Sequence, residues 1–144
     1  MNGSSPSMFN VVAAAMGIQL SYNYGVSNQD SSPVMNGVVA TATGGQQSSG
    51  VLNFGSSPIL INVTANGSGA TSGNNGMENY AEVPTSITVD RSSLTGSRSI
   101  YNASGITVRI GSSKLVGSVE ARGGTISCVA SYNGNYTPLD ATCQ

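Results

Sequence analysis

The stretch Ile18-Gln-Leu-Ser-Tyr-Asn-Tyr-Gly-Val26 alternates apolar and polar residues along its length. In an extended chain, successive side chains point to opposite faces, so this period of two gathers the apolar residues on one face. A helix would require a period near 3.6, which the stretch lacks. The pattern therefore predicts a β-strand with an aromatic face.

The same period recurs in both directions along the chain, and we count eight to ten short strands separated by Gly, Pro or Asn. The clearest further segments are Val34–Thr43, Val51–Phe54, Ile59–Ala65, Ile106–Ile110, Lys114–Arg122 and Thr125–Tyr132. The pair Gly123-Gly124 is a typical two-residue hairpin turn between the last two. Strands at this spacing predict an all-β fold, an antiparallel β-sandwich or a partly open barrel. A β-solenoid is the alternative, although no fixed repeat length is visible.

Two segments stand apart from this pattern. Residues 1–16 predict an N-terminal arm, in which the alanine-rich run Phe9–Met16 forms either a short helix or an apolar extended strand. An extended arm of this kind can add to the open sheet edge of a neighbouring subunit. Residues 66–76 are rich in Gly, Asn and Ser, which predicts a flexible loop within a single β-rich domain, 17–144.

Charge is scarce and unevenly placed. Charged residues make up 8% of the chain, against about 25% in ordinary domains, and from Met1 to Met77 only Asp30 is charged. Because interface cores are depleted of charge, the first half is predicted to contact another subunit, unless the depletion is compositional drift. The candidate contact residues are Phe9, Val11, Val12, Ile18, Leu20, Tyr22, Tyr24 and Val26.

The same composition excludes several classes of partner and reaction. A net charge of −1 gives no electrostatic basis for binding nucleic acid, and the apolar stretch Phe9–Leu20 is too short to span a membrane. Without histidine, the chain has no Ser-His-Asp triad and no ordinary zinc site. Glu78 and Glu82 form the closest glutamate pair, but a solvated pair is favoured over a glycosidase site. We therefore predict no enzyme activity, no metal and no cofactor.

The two cysteines, Cys128 and Cys143, match no zinc or redox spacing and predict a disulfide. A loop of this length stabilises a fold by about 3 kcal/mol. A disulfide is typical of secreted proteins, which agrees with an extracellular or cell-surface location. Asn62, Asn66 and Asn102 begin Asn-x-Ser/Thr triplets and are candidate glycosylation sites, although so many Asn, Ser and Thr residues produce such triplets by chance.

The segment from Cys128 to Cys143 resembles the disulfide-closed C-terminal loop of type IV pilins. The resemblance implies antiparallel strands at the end of the domain. The long apolar N-terminal helix of that family is missing from this chain.

Two functional hypotheses follow. The first is an extracellular structural protein, a homo-oligomeric or polymeric subunit of a filament, pilus-like fibre or surface coat assembled through β-strand contacts. The alternative is a monomeric surface adhesin or carbohydrate-binding module, in which tyrosines such as Tyr22, Tyr24, Tyr101, Tyr132 and Tyr136 contact a glycan or another host-surface ligand.

Overall fold

The computed structural model describes residues 4–144. Within that range, every regular element is a β-strand and all strand pairs within the two sheets are parallel. The first sheet contains β1 (Ser7–Phe9), β4 (Val34–Asn36), β7 (Ile59–Ile61), β10 (Thr85–Asp90), β12 (Ile106–Gly111) and β14 (Thr125–Val129). One strand of this sheet begins each coil of the chain, here called a rung.

The second sheet takes the remaining strands of every rung. Along its first part run β2 (Val12–Gly17), β5 (Val39–Gly44), β8 (Thr64–Ser68), β11 (Ser93–Asn102), β13 (Lys114–Ala121) and β15 (Tyr132–Asn133). In the first three rungs the chain then turns back as β3 (Tyr22–Gln29), β6 (Gln47–Phe54) and β9 (Gly73–Tyr80). The end of β11 pairs with β9, so the sheet folds round on itself.

This architecture is a parallel β-solenoid, and the predicted antiparallel sandwich or barrel is wrong. Strands that follow each other in sequence lie in different parts of the coil and pair with their counterparts one rung away. The predicted hairpin at Gly123-Gly124 is likewise wrong, because β13 and β14 belong to different sheets. The antiparallel strands implied by the pilin resemblance are also absent from the sheets of residues 4–144; there the one antiparallel contact is a single bridge between Tyr132 and Pro138.

The core is built from columns of like side chains stacked along the axis. One column in the first sheet runs Met8, Met35, Leu60, Val89, Ile110, Cys128, each in register with the next. A column in the second sheet runs Val26, Val51, Met77, Ile100, Val119. Burying these columns is the main stabilising contribution, because each rung covers the apolar face of its neighbour.

In rungs one to three, the outgoing strands β2, β5 and β8 lie very close to the returning strands β3, β6 and β9. Ala13, Ala40 and Ala65 stack on the outgoing strands, and the column continues as Leu94 and Leu115 in the rungs that have no returning strand. At Gly25 on a returning strand, an added Cβ would lie 2.6 Å from the backbone nitrogen of Thr41. Only glycine and other small residues fit this narrow part, which explains the abundance of small residues in the first half.

Each rung turns from the first sheet into the second through one residue with left-handed backbone geometry. These six residues are Asn10, Gly37, Asn62, Arg91, Ser112 and Ala130, with φ between 46° and 66°. Glycine and asparagine adopt this conformation readily, whereas the others need a fixed context. In rungs four to six the next residue is a buried serine, Ser92, Ser113 or Ser131, and the backbone N–H groups of Ser92 and Ser113 donate to the next serine's hydroxyl at 3.1 and 3.2 Å.

Two segments pair within the solenoid where the sequence predicts a separate arm and a loop. The described part of the predicted arm, residues 4–16, supplies β1 and most of β2, whereas its residues 1–3 lie outside the described residues. The predicted loop 66–76 is largely strand, since β8 ends at Ser68 and β9 begins at Gly73. In the first segment the extended alternative is observed, paired with the second rung of the same chain. In the second segment, pairing with neighbouring rungs outweighs a local composition that favours a loop.

Candidate functional site

The first rung has one open side. The strands β1, β2 and β3 stand at the ends of their sheets, so among residues 4–144 each pairs with a strand on one side only. On the other side, their backbone N–H and C=O groups have no strand partner within this range, as at any sheet edge. Three edge strands therefore lie at one end of the solenoid.

Large apolar side chains are concentrated in the same rung. Residues 9–22 hold six of the twelve exposed large apolar side chains in the described chain, namely Phe9, Val12, Met16, Ile18, Leu20 and Tyr22. Their exposed fractions run from 57% at Tyr22 to 87% at Met16. An exposed apolar group next to unpaired strands is typical of an interaction surface. We call these six residues the first-rung patch.

The predicted contact residues divide into two sets. Phe9, Val12, Ile18, Leu20 and Tyr22 belong to the first-rung patch. Val11 and Val26 pack against the core, and Tyr24 is half-buried. Met16 was missed, because the sequence placed it in an arm without a defined face. The alternation of β2, in which Val12, Ala14 and Met16 share the outer face, is the signal that finds it.

A tight turn presents two members of the patch. Leu20 has a φ of 70°, and the Ser21 hydroxyl donates to the carbonyl of Ile18 at 2.6 Å. The turn rests on the corresponding turn of the second rung, where the backbone nitrogen of Gln46 donates to the carbonyl of Ser21 at 2.8 Å. Ile18 and Leu20 are thus held outward by a fixed backbone.

In the interior, a ladder of asparagines joins four rungs. Asn28, Asn53, Asn79 and Asn102 occupy the same register position and are at most 4% exposed. Each amide nitrogen donates to the next amide oxygen, at 2.8, 2.8 and 3.3 Å. The last amide donates to the carbonyl of Ile106 at 3.1 Å. Such a ladder fixes the register of the rungs, because a shift leaves buried amides unpaired.

Glu78 is the centre of a second polar cluster, on β9 and its neighbours. Its side chain is 1% exposed, and its carboxylate accepts hydrogen bonds from Gln47, from Ser49 at 2.5 Å and from Tyr80 at 2.6 Å. Partial burial, followed by that hydrogen bond and the carboxylate's charge, raises the pKa of Tyr80. Partial burial and the same charge raise the pKa of Tyr24. Three donors satisfy Glu78, which gives it a structural role.

The cluster extends to the charged residues of the next rungs. Arg98 Nε donates to the Asn75 amide oxygen at 2.7 Å, and its guanidinium lies 4.8 Å from the centre of the Tyr101 ring. Arg98 is also 3.7 Å from Glu120. By contrast, Glu82 is exposed beyond the end of β9. The structure therefore places the two glutamates of the sequence pair in unlike environments, one enclosed and one solvated.

The opposite end of the solenoid is covered in part, although β14 also stands at the end of its sheet. Cys128 and Cys143 form a disulfide, and residues after Thr137 fold back over the last rung. The backbone nitrogen of Cys128 donates to the carbonyl of Ala141 at 3.0 Å, and that of Leu139 donates to the carbonyl of Ser131 at 2.9 Å. Leu139 and Cys143 pack on the core. We call residues 137–144 the C-terminal clasp.

The three candidate glycosylation sites differ in access. Asn62 is exposed at the corner and Asn66 is half-buried on β8. Asn102 is fully buried in the asparagine ladder, so a glycan on its amide is incompatible with the fold and that candidate is wrong.

Residues 4–144 hold no group of three or more Asp, Glu, Cys or His side chains placed to share a metal ion. The same residues include no helix of the length and apolarity that a bilayer crossing requires.

Comparisons with protein-family models, with curated proteins and with solved structures gave no match to this chain.

Proposed function

We propose that this chain is an extracellular structural protein whose copies assemble through the edge strands of the first rung. The observation that carries the proposal is the coincidence of three edge strands with half of the exposed large apolar side chains in the described chain. Pairing an edge strand with another chain supplies main-chain hydrogen bonds, and the adjoining apolar side chains supply buried area.

The lack of charge favours a second copy as the occupant. In a two-fold interface the same surface meets itself, so a patch with net charge would repel its copy. Asp30 is the one charged residue between Met1 and Met77, and it lies beyond the end of β3. Two first-rung patches can therefore approach without electrostatic repulsion.

The C-terminal clasp determines which kind of assembly is favoured. Head-to-tail stacking would place the first rung of one copy on the last rung of another, and the clasp lies over part of that end. The geometry therefore supports a closed pair joined by its first rungs over an endless filament. Such a pair can still form part of a coat or fibre through contacts at other surfaces.

The disulfide supports the extracellular part of the proposal. Disulfides persist in oxidising compartments and are rare in the reducing cytosol. The low charge and the high content of Ser, Thr, Asn and Gly agree with a surface-exposed structural protein but are weaker support.

The test is the oligomeric state of edge variants. We expect the wild-type protein to dimerise with rising concentration in analytical ultracentrifugation. Val12→Lys and Leu20→Lys add a charge to the first-rung patch, which should weaken self-association by about tenfold each. Val129→Lys is the matched control, because Val129 is 73% exposed at the other end while Val12 is 77% exposed.

Each outcome is informative. A wild-type protein that stays monomeric at high concentration would contradict the proposal, as would equal weakening by the Val129→Lys control. Association that survives both first-rung substitutions would place the contact elsewhere on the molecule.

A further inference from the structure

We infer that the groove beside Lys114 and Tyr132 binds a short anionic saccharide. This inference is independent of the proposed assembly, because the groove crosses rungs three to six and lies away from the first rung.

The groove follows a column of outward-facing positions. Thr64, Ser93, Lys114 and Tyr132 are consecutive register partners on β8, β11, β13 and β15. Neighbouring strands are about 4.8 Å apart, so the three steps span about 14 Å. The regular spacing gives an elongated surface that matches a chain-like ligand better than a compact one.

The groove has the volume and the hydrogen-bonding groups of a ligand site. Its volume is about 380 Å³, within the usual range for small-molecule sites. Asn62 and Arg91 line it together with the column residues, and both have left-handed backbone geometry that fixes the corner. The hydroxyls of Thr64 and Ser93 and the amide of Asn62 are the groups that recognise sugar hydroxyls.

The charge of the groove is positive. Two of the chain's five basic residues, Arg91 and Lys114, line it. Arg91 Nε lies 3.0 Å from the carboxylate of Asp90. In the described part of the chain, no carboxylate lies within 4.0 Å of the Lys114 ammonium. One cation is thus left without a counter-charge in a protein that has few charges, which favours an anionic ligand.

Tyr132 lines the last-rung end of the groove, and its ring packs against that of Tyr136. The rings of Tyr132 and Tyr136 stack with centres 5.2 Å apart and planes 16° from parallel. The Lys114 ammonium lies 4.5 Å from the centre of the Tyr136 ring, which orients the cation. Aromatic faces next to hydroxyl and amide groups fit the apolar C–H face and the hydroxyl rim of a sugar ring. An acidic peptide would pair with the cations but would leave the tyrosine rings and the neighbouring hydroxyl and amide groups without a matching partner.

The experiment titrates the whole protein with three probes and follows backbone amide shifts by NMR. The probes are a galacturonic acid trimer, the neutral glucose trimer maltotriose and a triglutamate peptide. We expect saturable binding of the uronate trimer, with shifts concentrated at residues 62–64, 91–93, 112–114 and 132. Binding should weaken as NaCl rises from about 20 to about 200 mM, since salt screens a partly exposed charge.

Two substitutions test whether binding of the uronate trimer depends on the lysine of the groove or on any exposed cation of the protein. Lys114→Gln should raise the dissociation constant for the uronate trimer by about tenfold. Arg122→Gln is the matched control, because Arg122 is an exposed cation outside the groove and its loss should change the constant by less than about twofold. The fold of both variants is checked by their thermal midpoints.

Three results would overturn the inference. They are tighter binding of triglutamate than of the uronate trimer, equal binding of maltotriose and the uronate trimer, and an unchanged constant for Lys114→Gln. Failure here leaves the self-association of the first rung untouched, and the two proposals are therefore tested separately.

Discussion

Four amides in the interior show what single residues contribute to this fold. Asparagine is unfavourable in most cores, but the two middle amides of the ladder, Asn53 and Asn79, each accept from one neighbouring rung and donate to the other. The spacing 28, 53, 79 and 102 is visible in the sequence only once the rungs are known. An asparagine at such intervals among many others carries no signal by itself, and for that reason sequence reasoning missed the ladder.

Asn53→Ala tests the ladder at its centre. The substitution leaves the amide nitrogen of Asn28 and the amide oxygen of Asn79 without their partner. Because unpaired buried polar groups are costly, we expect a loss of about 3 kcal/mol in the free energy of unfolding, measured with urea. Asn135→Ala, at an exposed position in the last loop, should change it by less than about 0.5 kcal/mol. Equal losses in the two variants would show that the ladder adds no stability.

Tyr80→Phe tests the hydrogen bond to the buried carboxylate through pH. The pKa of Tyr80 is raised in the folded protein by partial burial and then by Glu78. Above about pH 10 the unfolded tyrosine releases its proton while the folded one retains it. The folded state then binds more protons, so stability falls as pH rises. The contribution is fully present below about pH 10 and is lost as the pH climbs toward the folded pKa.

The expected result is a shallower decline in Tyr80→Phe than in the wild type, followed by urea denaturation between about pH 9 and about pH 11.5. Parallel curves for wild type and Tyr80→Phe would mean that folding does not raise the pKa of Tyr80.

At the scale of elements, strand positions were easier to predict than strand partners. Of the predicted strand Ile18–Val26, residues 22–26 lie in β3 while residues 18–21 form a turn, and the predicted strand Ile106–Ile110 lies in β12. Alternation reports the buried face of β12 whether its partners are parallel or antiparallel. It fails at the start of β3, where Tyr22 is exposed and Asn23 is buried. The segment 73–76 shows the opposite limit, since its Gly and Asn residues predict a loop and yet pair within β9.

The C-terminal clasp is the element whose contribution can be isolated. The disulfide joins residues separated by 15 positions, and a closure of this size stabilises by about 3 kcal/mol. Replacing both Cys128 and Cys143 with alanine should lower the free energy of unfolding by about that amount. Reducing the wild type should have the same effect, whereas the double variant should not respond to reductant. A double variant as stable as the oxidised wild type would mean that the clasp is held by its hydrogen bonds and apolar contacts alone.

For the whole molecule, the feature that the sequence does not reveal is the length of the repeat. Successive rungs of the first sheet pair Ser7 with Val34, Val34 with Ile59, Ile59 with Thr88, Thr85 with Ile106 and Thr107 with Thr125. The steps are therefore 27, 25, 29, 21 and 18 residues, because the turn back through β3, β6 and β9 exists only in the first three rungs. A repeat of changing length has no fixed period, so the sequence alone favours a sandwich or barrel over a solenoid.

A solenoid of this kind predicts a gradient of local stability along its axis. In repeat folds each rung contacts its neighbours only, so an end rung with one neighbour opens more readily than an internal one. The first rung has open edges, while the clasp and its disulfide fasten part of the last rung. At low protein concentration we expect amide hydrogen exchange to be fastest in β1–β3, slow in β14 and slowest in β9 and β11.

The same measurement joins the gradient to the proposed assembly. If copies pair through the first rung, the exchange of β1–β3 should slow as the protein concentration rises, because bound and unbound forms interconvert by mass action. Exchange in β12 and β14 should stay constant and serves as the internal control. In Val12→Lys the concentration dependence should weaken while the low-concentration gradient remains. Protection of β1–β3 that is high at every concentration would contradict both an open first rung and its role in assembly.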